Sequence, residues 1–358
     1  MANDKDFVVK NAVEVGGSTK TTLGTINADV AINSYGISTA SYDNKSFSVT
    51  ESTQPGKVFF KSDGTRMFIM GDSSGDSVYQ YSLSTAWDVS TASYDSVSFS
   101  VGSEETNPRG LFFKPDGTKM YISGVSGDNI YQYSLSTAWD LSTASYDSTS
   151  FSVSSQDSLP YQFYIKSDGT KLFLSGTSSD TIYQYSMSTA WDISSLSYDS
   201  VSLDVSSYYT YSGPTGIEFN SDGTKLFILQ NDAVNVDEEV YSFTLSTAWD
   251  LSTASHDDVS FSVVSQDTNV NGLTFSADGT KMYVTGDTNN TVYQYTTGYI
   301  ADQIDLDTGN YFNDTLTANT TYTISNAGDV QSFQLEVTGG ALGYGFTNAV
   351  YDNKSINV

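Results

Sequence analysis

The chain reads as an all-β protein: a five-bladed β-propeller of four-stranded antiparallel blades, closed by an N-terminal strand and followed by a small C-terminal β segment. Three observations predict this. An Asp-Gly-Thr triplet recurs at Asp63, Asp116, Asp168, Asp222 and Asp278, spaced 53, 52, 54 and 56 residues apart, and a near-fixed period of that length marks a repeat architecture. Each unit carries four strand-length stretches separated by turn signals. Five Ser/Thr/Phe/Val-rich fourth strands occur, near 41–49, 93–101, 145–153, 197–205 and 255–263, and the first of them precedes the first unit.

The unit starting at Gly110 shows the pattern. Leu111–Lys114 is apolar and aromatic, and Pro115-Asp116-Gly117 makes a tight turn, with proline presetting φ, aspartate bonding its own backbone and glycine taking the left-handed position. Met120–Ile122 returns, a polar loop at Gly124–Asp128 turns the chain again, and Ile130–Leu135 alternates Tyr131 and Tyr133 with Gln132 at the period of two expected of a strand. The connection Ser136–Ser145 leads to a fourth strand ending near Val153. Four antiparallel strands in about 50 residues make one blade, and a lone blade cannot cover its aromatic faces, so its neighbours must stack on it. The last unit ends at Tyr295 without the connection that leads to a fourth strand. The N-terminal strand is therefore expected to pair with it and close the ring, which removes free sheet edges. The end of the chain, Ala349–Val358, nearly repeats Ala40–Val49 and offers a competing closure. The expected organisation is an N-terminal arm over 1–36, the propeller over 37–297 and a C-terminal β module over 298–358, with strands at Tyr311–Leu316, Thr320–Ile324 and Ser332–Val337.

Composition bounds function. The net charge of −27, from 15 basic and 42 acidic residues, argues against a nucleic-acid partner, whose binders need a basic footprint, and against a bare anionic membrane. No stretch approaches 18 apolar residues, so no transmembrane helix or membrane insertion is expected, and the opening MANDKDFVVK has no apolar h-region of a signal peptide. There is no cysteine, hence no disulfide or thiolate chemistry. Lys61, Arg66, Lys114, Lys119, Lys166, Lys171, Lys225 and Lys281 flank the Asp-Gly-Thr turns and read as weak surface pairs rather than as an anion-binding ring.

Comparing the units with one another separates structural from candidate functional residues. Trp87, Trp139, Trp191 and Trp249 share one connection and read as plugs of the outer base of each blade. The five triplet aspartates read as turn formers. By strand alternation, the loops between fourth and first strands and those between second and third strands emerge on one rim. They vary between units, and variable loops free of packing duty are where binding sites are usually built. On that rim the candidate ligand-binding residues are Lys57, Arg109, Tyr161, Tyr208, Tyr209, Tyr211, Asp232, Asp237 and Glu238, because tyrosines beside carboxylates and amides suit sugar stacking with hydroxyl hydrogen bonds. His256 is the single histidine and replaces a repeat tyrosine, so no Ser-His-Asp set is built on it. No phosphate loop or Cys/His metal spacing is present. No cofactor is expected; the acidic clusters at Asp72 and Asp76 and at Asp232, Asp237 and Glu238 are the candidates for calcium, and neither follows an EF-hand pattern. No carboxylate stands out inside an apolar strand, and paired glycosidase carboxylates stay open because sequence does not give their separation.

The unit FKPDGTKMYISGVSGDNIYQYSLSTAWD resembles the YVTN-type, WD40-like propeller repeat over 37–297. MANDKDFVVKNAVEVGG resembles the opening of virion structural and tail-fibre proteins of marine bacteriophages. DLDTGNYFNDTLTANTTYTISN resembles a β module of the same proteins, matched by Gly309, Asn310, Tyr311 and Phe312. This resemblance implies a non-enzymatic, virion-associated, tail-fibre-like adhesion protein that recognises host-surface glycan or protein through the variable rim, with other virion proteins and sister copies in a homo-oligomer as partners. A virion structural or decoration protein is the second expectation, and a propeller hydrolase or lactonase the third.

Overall fold

The computed structural model describes residues 35–72, 75–208, 213–231 and 238–297, with the backbone of six short strands beyond residue 302. The repeat becomes five four-stranded antiparallel sheets. Strand β1 is Ser41–Ser48. Blade one is β2 (Gln54–Phe60), β3 (Arg66–Asp72), β4 (Ser77–Leu83) and β5 (Ala92–Ser100). Blade two is β6 (Pro108–Phe113), β7 (Lys119–Gly124), β8 (Asn129–Leu135) and β9 (Ala144–Ser152). Blade three is β10 (Pro160–Ile165), β11 (Lys171–Gly176), β12 (Thr181–Met187) and β13 (Leu196–Asp204). Blade four is β14 (Pro214–Phe219), β15 (Lys225–Gln230), β16 (Glu239–Leu245) and β17 (Ala254–Ser262). Blade five is β18 (Val270–Phe275), β19 (Lys281–Gly286) and β20 (Thr291–Thr296).

Blade five is completed by β1, antiparallel to β20 with Phe47 opposite Val292 and Ser48 opposite Thr291. The first strands of successive blades, β2, β6, β10, β14 and β18, are neighbours around the ring, and β18 returns to β2. The ring is closed by the N-terminal strand, as expected.

Each Asp-Gly-Thr turn is held by its aspartate, which accepts from the threonine two residues on; in blade two Thr118 N and Oγ1 donate to Asp116 at 3.0 and 2.6 Å. The glycine is required at Gly117: its φ is +74°, and a Cβ there would lie 2.4 Å from the Trp139 ring. Trp139 N donates to the Gly117 carbonyl at 3.1 Å. The tryptophans do not sit at the outer base of the blades. Trp139 stacks on Phe59 and Phe68 of blade one and on Phe113 of its own blade, and Trp191 and Trp249 repeat this against blades two and three. The left-handed backbone of each tryptophan turns the indole inward, so it fills the seam between neighbouring blades.

A second seam element escaped the sequence reading. The glutamine of the repeated Tyr-Gln-Tyr bridges two blades: Gln132 Nε2 donates to Asp147 of its own outer strand at 2.8 Å, and its Oε1 accepts from Ile193 N of the next blade at 3.3 Å. Gln80 and Gln184 do the same toward Leu141 N and Leu251 N, and Gln294 joins blade five to Val89 N of blade one. At the seam between blades four and five the equivalent turn is Ile37–Thr39, ahead of β1 and packed against β17, and there the glutamine is replaced by Ser242. The aspartate sits in a bulge of each outer strand.

The eight basic residues flanking the turns are engaged. Lys61, Lys114 and Lys166 pair with their turn aspartates, and Lys119, Lys171, Lys225 and Lys281 with Asp147, Asp199, Asp257 and Asp43. Arg66 donates to the Trp139 carbonyl at 2.6 Å.

By contacts the chain divides into residues 37–298 and a second unit of 1–36 with 299–358. In the second unit β21 (Gln303–Asp305) pairs in parallel with β23 (Thr323–Ser325), and β22 (Tyr311–Leu316) in parallel with β24 (Gln334–Gly339). A last antiparallel pair joins β25 (Ala349–Tyr351) to β26 (Lys354–Ile356). No described helix is long and apolar enough to cross a membrane.

Candidate functional site at the mouth of the central channel

The five first strands place equivalent residues around the axis. Just inside the variable rim stand Gly56, Arg109, Tyr161, Thr215 and Asn271. The next row is Lys57, Gly110, Gln162, Gly216 and Gly272, and two residues further on come Phe59, Phe112, Tyr164, Glu218 and Thr274. All five strands are irregular at this point; three begin with proline and β2 carries Pro55 at its second position. Proline cannot donate to a ladder, and a bulge re-aims the side chains beside it. Lys57, Arg109 and Tyr161, expected on loops, therefore lie on strands β2, β6 and β10 and turn toward the axis.

The mouth is a connected polar cluster. Arg109 Nη2 lies 3.1 Å from Asp72 Oδ2, and its guanidinium carbon stands 5.3 Å from the Tyr161 ring centroid. Tyr161 Oη donates to Asn271 Oδ1 at 2.7 Å across the channel, and Gln162 Nε2 donates to the Asn271 carbonyl. Asn271 Nδ2 donates to Asp287 Oδ2 at 3.1 Å, while Asn269 Nδ2 donates to the other Asp287 oxygen. Burial pushes the Asp287 carboxyl above the usual range, aided by the charge of Asp267 and opposed by Asn271 and Arg109. Two buried polar atoms here have no hydrogen-bond partner among the described residues: Arg109 Nε, a donor, and Gln162 Oε1, an acceptor. Gln162 is wholly buried.

Lys57 is not a rim residue. It is buried, and its Nζ donates to Glu218 Oε1 and to the Leu273 carbonyl. Thr274 Oγ1 joins them, donating to the Val58 carbonyl at 2.6 Å and meeting Glu218 Oε1 at 3.3 Å. Glu218 is the buried carboxylate inside an apolar strand that the sequence reading did not single out. Its signal was present: it holds the column occupied by Phe59, Phe112 and Tyr164, and Lys57 holds the column of three glycines.

The remaining candidates do not join the site. Tyr208 stacks on His256 at 4.4 Å and packs edge-on against Phe243 at 5.3 Å, so its ring is used in packing. Glu238 is buried. Tyr209, Tyr211, Asp232 and Asp237 lie outside the described residues. The rim is also less free than its sequence suggests. Glu105 accepts from the backbone of Asn107, Ser126 and Gly127. Asp157 accepts from Leu159, Ser178 and Ser179, and Asp267 from Asn269, Thr288 and Asn289. These buried carboxylates tie the two rim loops together in blades two, three and five. Among the described residues no group of three or more His, Cys, Asp or Glu side chains converges as metal ligands.

The fold and channel define a β-propeller, and solved propellers are what the chain is similar to. Two are described as a "putative 6-phosphogluconolactonase", from Bacteroides uniformis and Bacteroides fragilis. The first is 14% identical over 67% of this chain and 65% of its own, with a TM-score of 0.43; the second is 12% identical over 68% and 80%, with a TM-score of 0.46. The periplasmic gluconolactonase of Pseudomonas aeruginosa is 14% identical over 68% and 66%, with a TM-score of 0.40. At this level the likeness shows the fold alone. No family model matches, and no curated protein matches. The expectation of a non-enzymatic, virion-associated adhesion protein that reads its ligand on one exposed rim is corrected: among the described residues the candidate tyrosines and cations do not form one exposed recognition surface. Arg109 and Tyr161 meet at the mouth, Lys57 is sealed in the channel, and Tyr208, exposed at 36%, stands apart from them against His256 and Phe243.

Proposed function

We propose that the chain is a hydrolase of the lactonase type, acting on a small polyhydroxylated ester or lactone at the channel mouth. The observation that carries this reading is Arg109: a half-buried guanidinium with a buried, spare Nε–H, held by Asp72 and Tyr161 and close enough to Asp287 to influence its protonation. In the proposed reaction Arg109 Nε donates to the substrate carbonyl oxygen, where negative charge develops. Asp287, fixed by Asn269 and Asn271, takes a proton from the attacking water, the water oxygen bonds to the carbonyl carbon, and the ring C–O bond breaks. The proton then passes to the departing alkoxide, giving the open hydroxy acid. Tyr161 offers a face for a sugar ring, and Gln162 Oε1 is an acceptor for a substrate hydroxyl. The same chemistry stands in the descriptions of the lactonase propellers named above, whose likeness supports no more than the scaffold.

The test is hydrolysis of sugar δ-lactones by the full chain, followed as acid release in a pH-stat. Expected is a rate above spontaneous ring opening that falls on the order of 10²-fold or more in Asp287→Asn and in Arg109→Met. Rates equal to background, or unchanged in both variants, would overturn the reading.

A further inference from the structure

The charges of the ring are divided between its two rims. Of the eleven basic residues in 37–297, nine lie on the rim of the Asp-Gly-Thr turns: the eight that flank the turns, and Lys45, whose Nζ donates to Asp88 at 2.6 Å. Lys57 is sealed against Glu218. Arg109 is therefore the single cation at the variable rim among the described residues of the ring, and it is already paired with Asp72. Near it stand carboxylates whose hydrogen-bond donors are neutral. Glu105 is held by backbone N–H groups, Asp157 by backbone and serine hydroxyls, Asp267 by backbone and the Asn289 amide, and Asp287 by the amides of Asn269 and Asn271. A cleft lined by charge of one sign focuses its field on what enters.

The mouth also holds two buried acceptors without donors. Gln162 is wholly buried and Asn231 is 8% exposed. Each amide nitrogen is committed, Gln162 Nε2 to the Asn271 carbonyl and Asn231 Nδ2 to Asn269 Oδ1 at 2.6 Å. Their oxygens are the free ends, and neither has a partner among the described residues. A buried acceptor is costly until a donor meets it. A hydroxyl supplies one, whereas an ionised phosphate or carboxylate only accepts. We infer that the ligand of the mouth is a polyhydroxylated lactone carrying neither phosphate nor carboxylate, its hydroxyls donating to Gln162 and Asn231 and its carbonyl accepting from Arg109 Nε. Anionic sugar derivatives are turned away by the surrounding carboxylates. This names the substrate class of the site proposed above and rests on reading the mouth as a lactone site.

Charge can be removed from this rim without changing its backbone. Asp76, Asp128 and Asp180 take a left-handed position in the rim loops of blades one, two and three, and blade five has Asn290 there, so asparagine fits. The probes are the hydrolysis-inert δ-lactam of gluconic acid and its 6-phosphate, titrated calorimetrically into the full chain at about 10 mM salt. Expected is binding of the neutral lactam that is lost in Arg109→Met, with the phosphate at least about tenfold weaker. In the triple variant Asp76→Asn, Asp128→Asn, Asp180→Asn, and at high salt, the gap should narrow by about threefold or more while the neutral lactam binds as before. Equal or tighter binding of the phosphate, or a gap that neither salt nor the triple variant changes, would overturn the inference and leave the hydrolase reading standing. Selective binding of the neutral lactam without hydrolysis of the sugar δ-lactones would uphold the ligand class and sink the hydrolase reading. Binding of neither lactam overturns the inference whatever the rate of hydrolysis.

Discussion

Lys57 and Glu218, 161 residues apart in sequence, meet inside the central channel as a buried ion pair closed by the Leu273 carbonyl and Thr274. Burial drives the lysine below its ordinary pKa and the glutamate above its own, with the pairing opposing both shifts. Removing one partner leaves the other charge buried, and Lys57→Met or Glu218→Leu alone is expected to cost about 3–5 kcal/mol. The double replacement fills the same space without charge and is expected to recover most of that loss. Urea unfolding of the two single variants and the double variant checks the coupling.

The bulge aspartates make the ring acid-sensitive. Burial raises Asp147, Asp199 and Asp257, but hydrogen bonds from the neighbouring lysine and from glutamine, serine or threonine side chains outweigh it, so each lies below the usual carboxylate pKa. A carboxyl lowered in the folded state contributes stability that is fully present above its unfolded pKa, near 3.9, and is lost as pH falls through the folded value. Melting temperature is therefore expected to hold steady from neutral pH to about 5 and to fall progressively below about 4. In Asp147→Asn the acid-induced fall should be shallower.

The glutamine seams predict a position-dependent loss. Gln132→Ala removes a bond to Asp147 and leaves the buried Ile193 N–H without its acceptor. The expected cost is about 1–3 kcal/mol. Ser242→Gln, at the seam where the turn Ile37–Thr39 packs against β17, should supply the missing bridge and raise stability. Thermal unfolding of both variants checks the two directions.

Gly117→Ala tests the turn under the indole. The residue would have to hold a φ of +74° with its Cβ 2.4 Å from Trp139. The expected loss exceeds about 1 kcal/mol, whereas Trp139→Ala in addition should cost less than the sum of the two single changes, because the clash is then gone.

For the proposed hydrolysis, the raised Asp287 carboxyl sets the sign of the pH profile. Activity is expected to need the ionised form, so the acid limb of kcat/KM should lie above the ordinary aspartate range. The limb should vanish with the activity in Asp287→Asn and persist in Tyr208→Ala.

Much of the fold was legible because a repeat tests itself. Five Asp-Gly-Thr turns, four tryptophans and the misplaced fourth strand at 41–49 fix the blade count and the closure from sequence, since local turn chemistry and period-two patterning act within a few residues. The tertiary structure decided what depends on the curvature of the ring. It sent the tryptophans into the seams instead of the outer base, made Lys57 an interior partner of Glu218, and drew Arg109, Tyr161, Asn271 and Asp287 from three blades into one cluster. Such side chains are separated by up to 178 positions, and no local rule places them. Only the bulges at the channel mouth and the closing of the circle bring them within hydrogen-bonding distance.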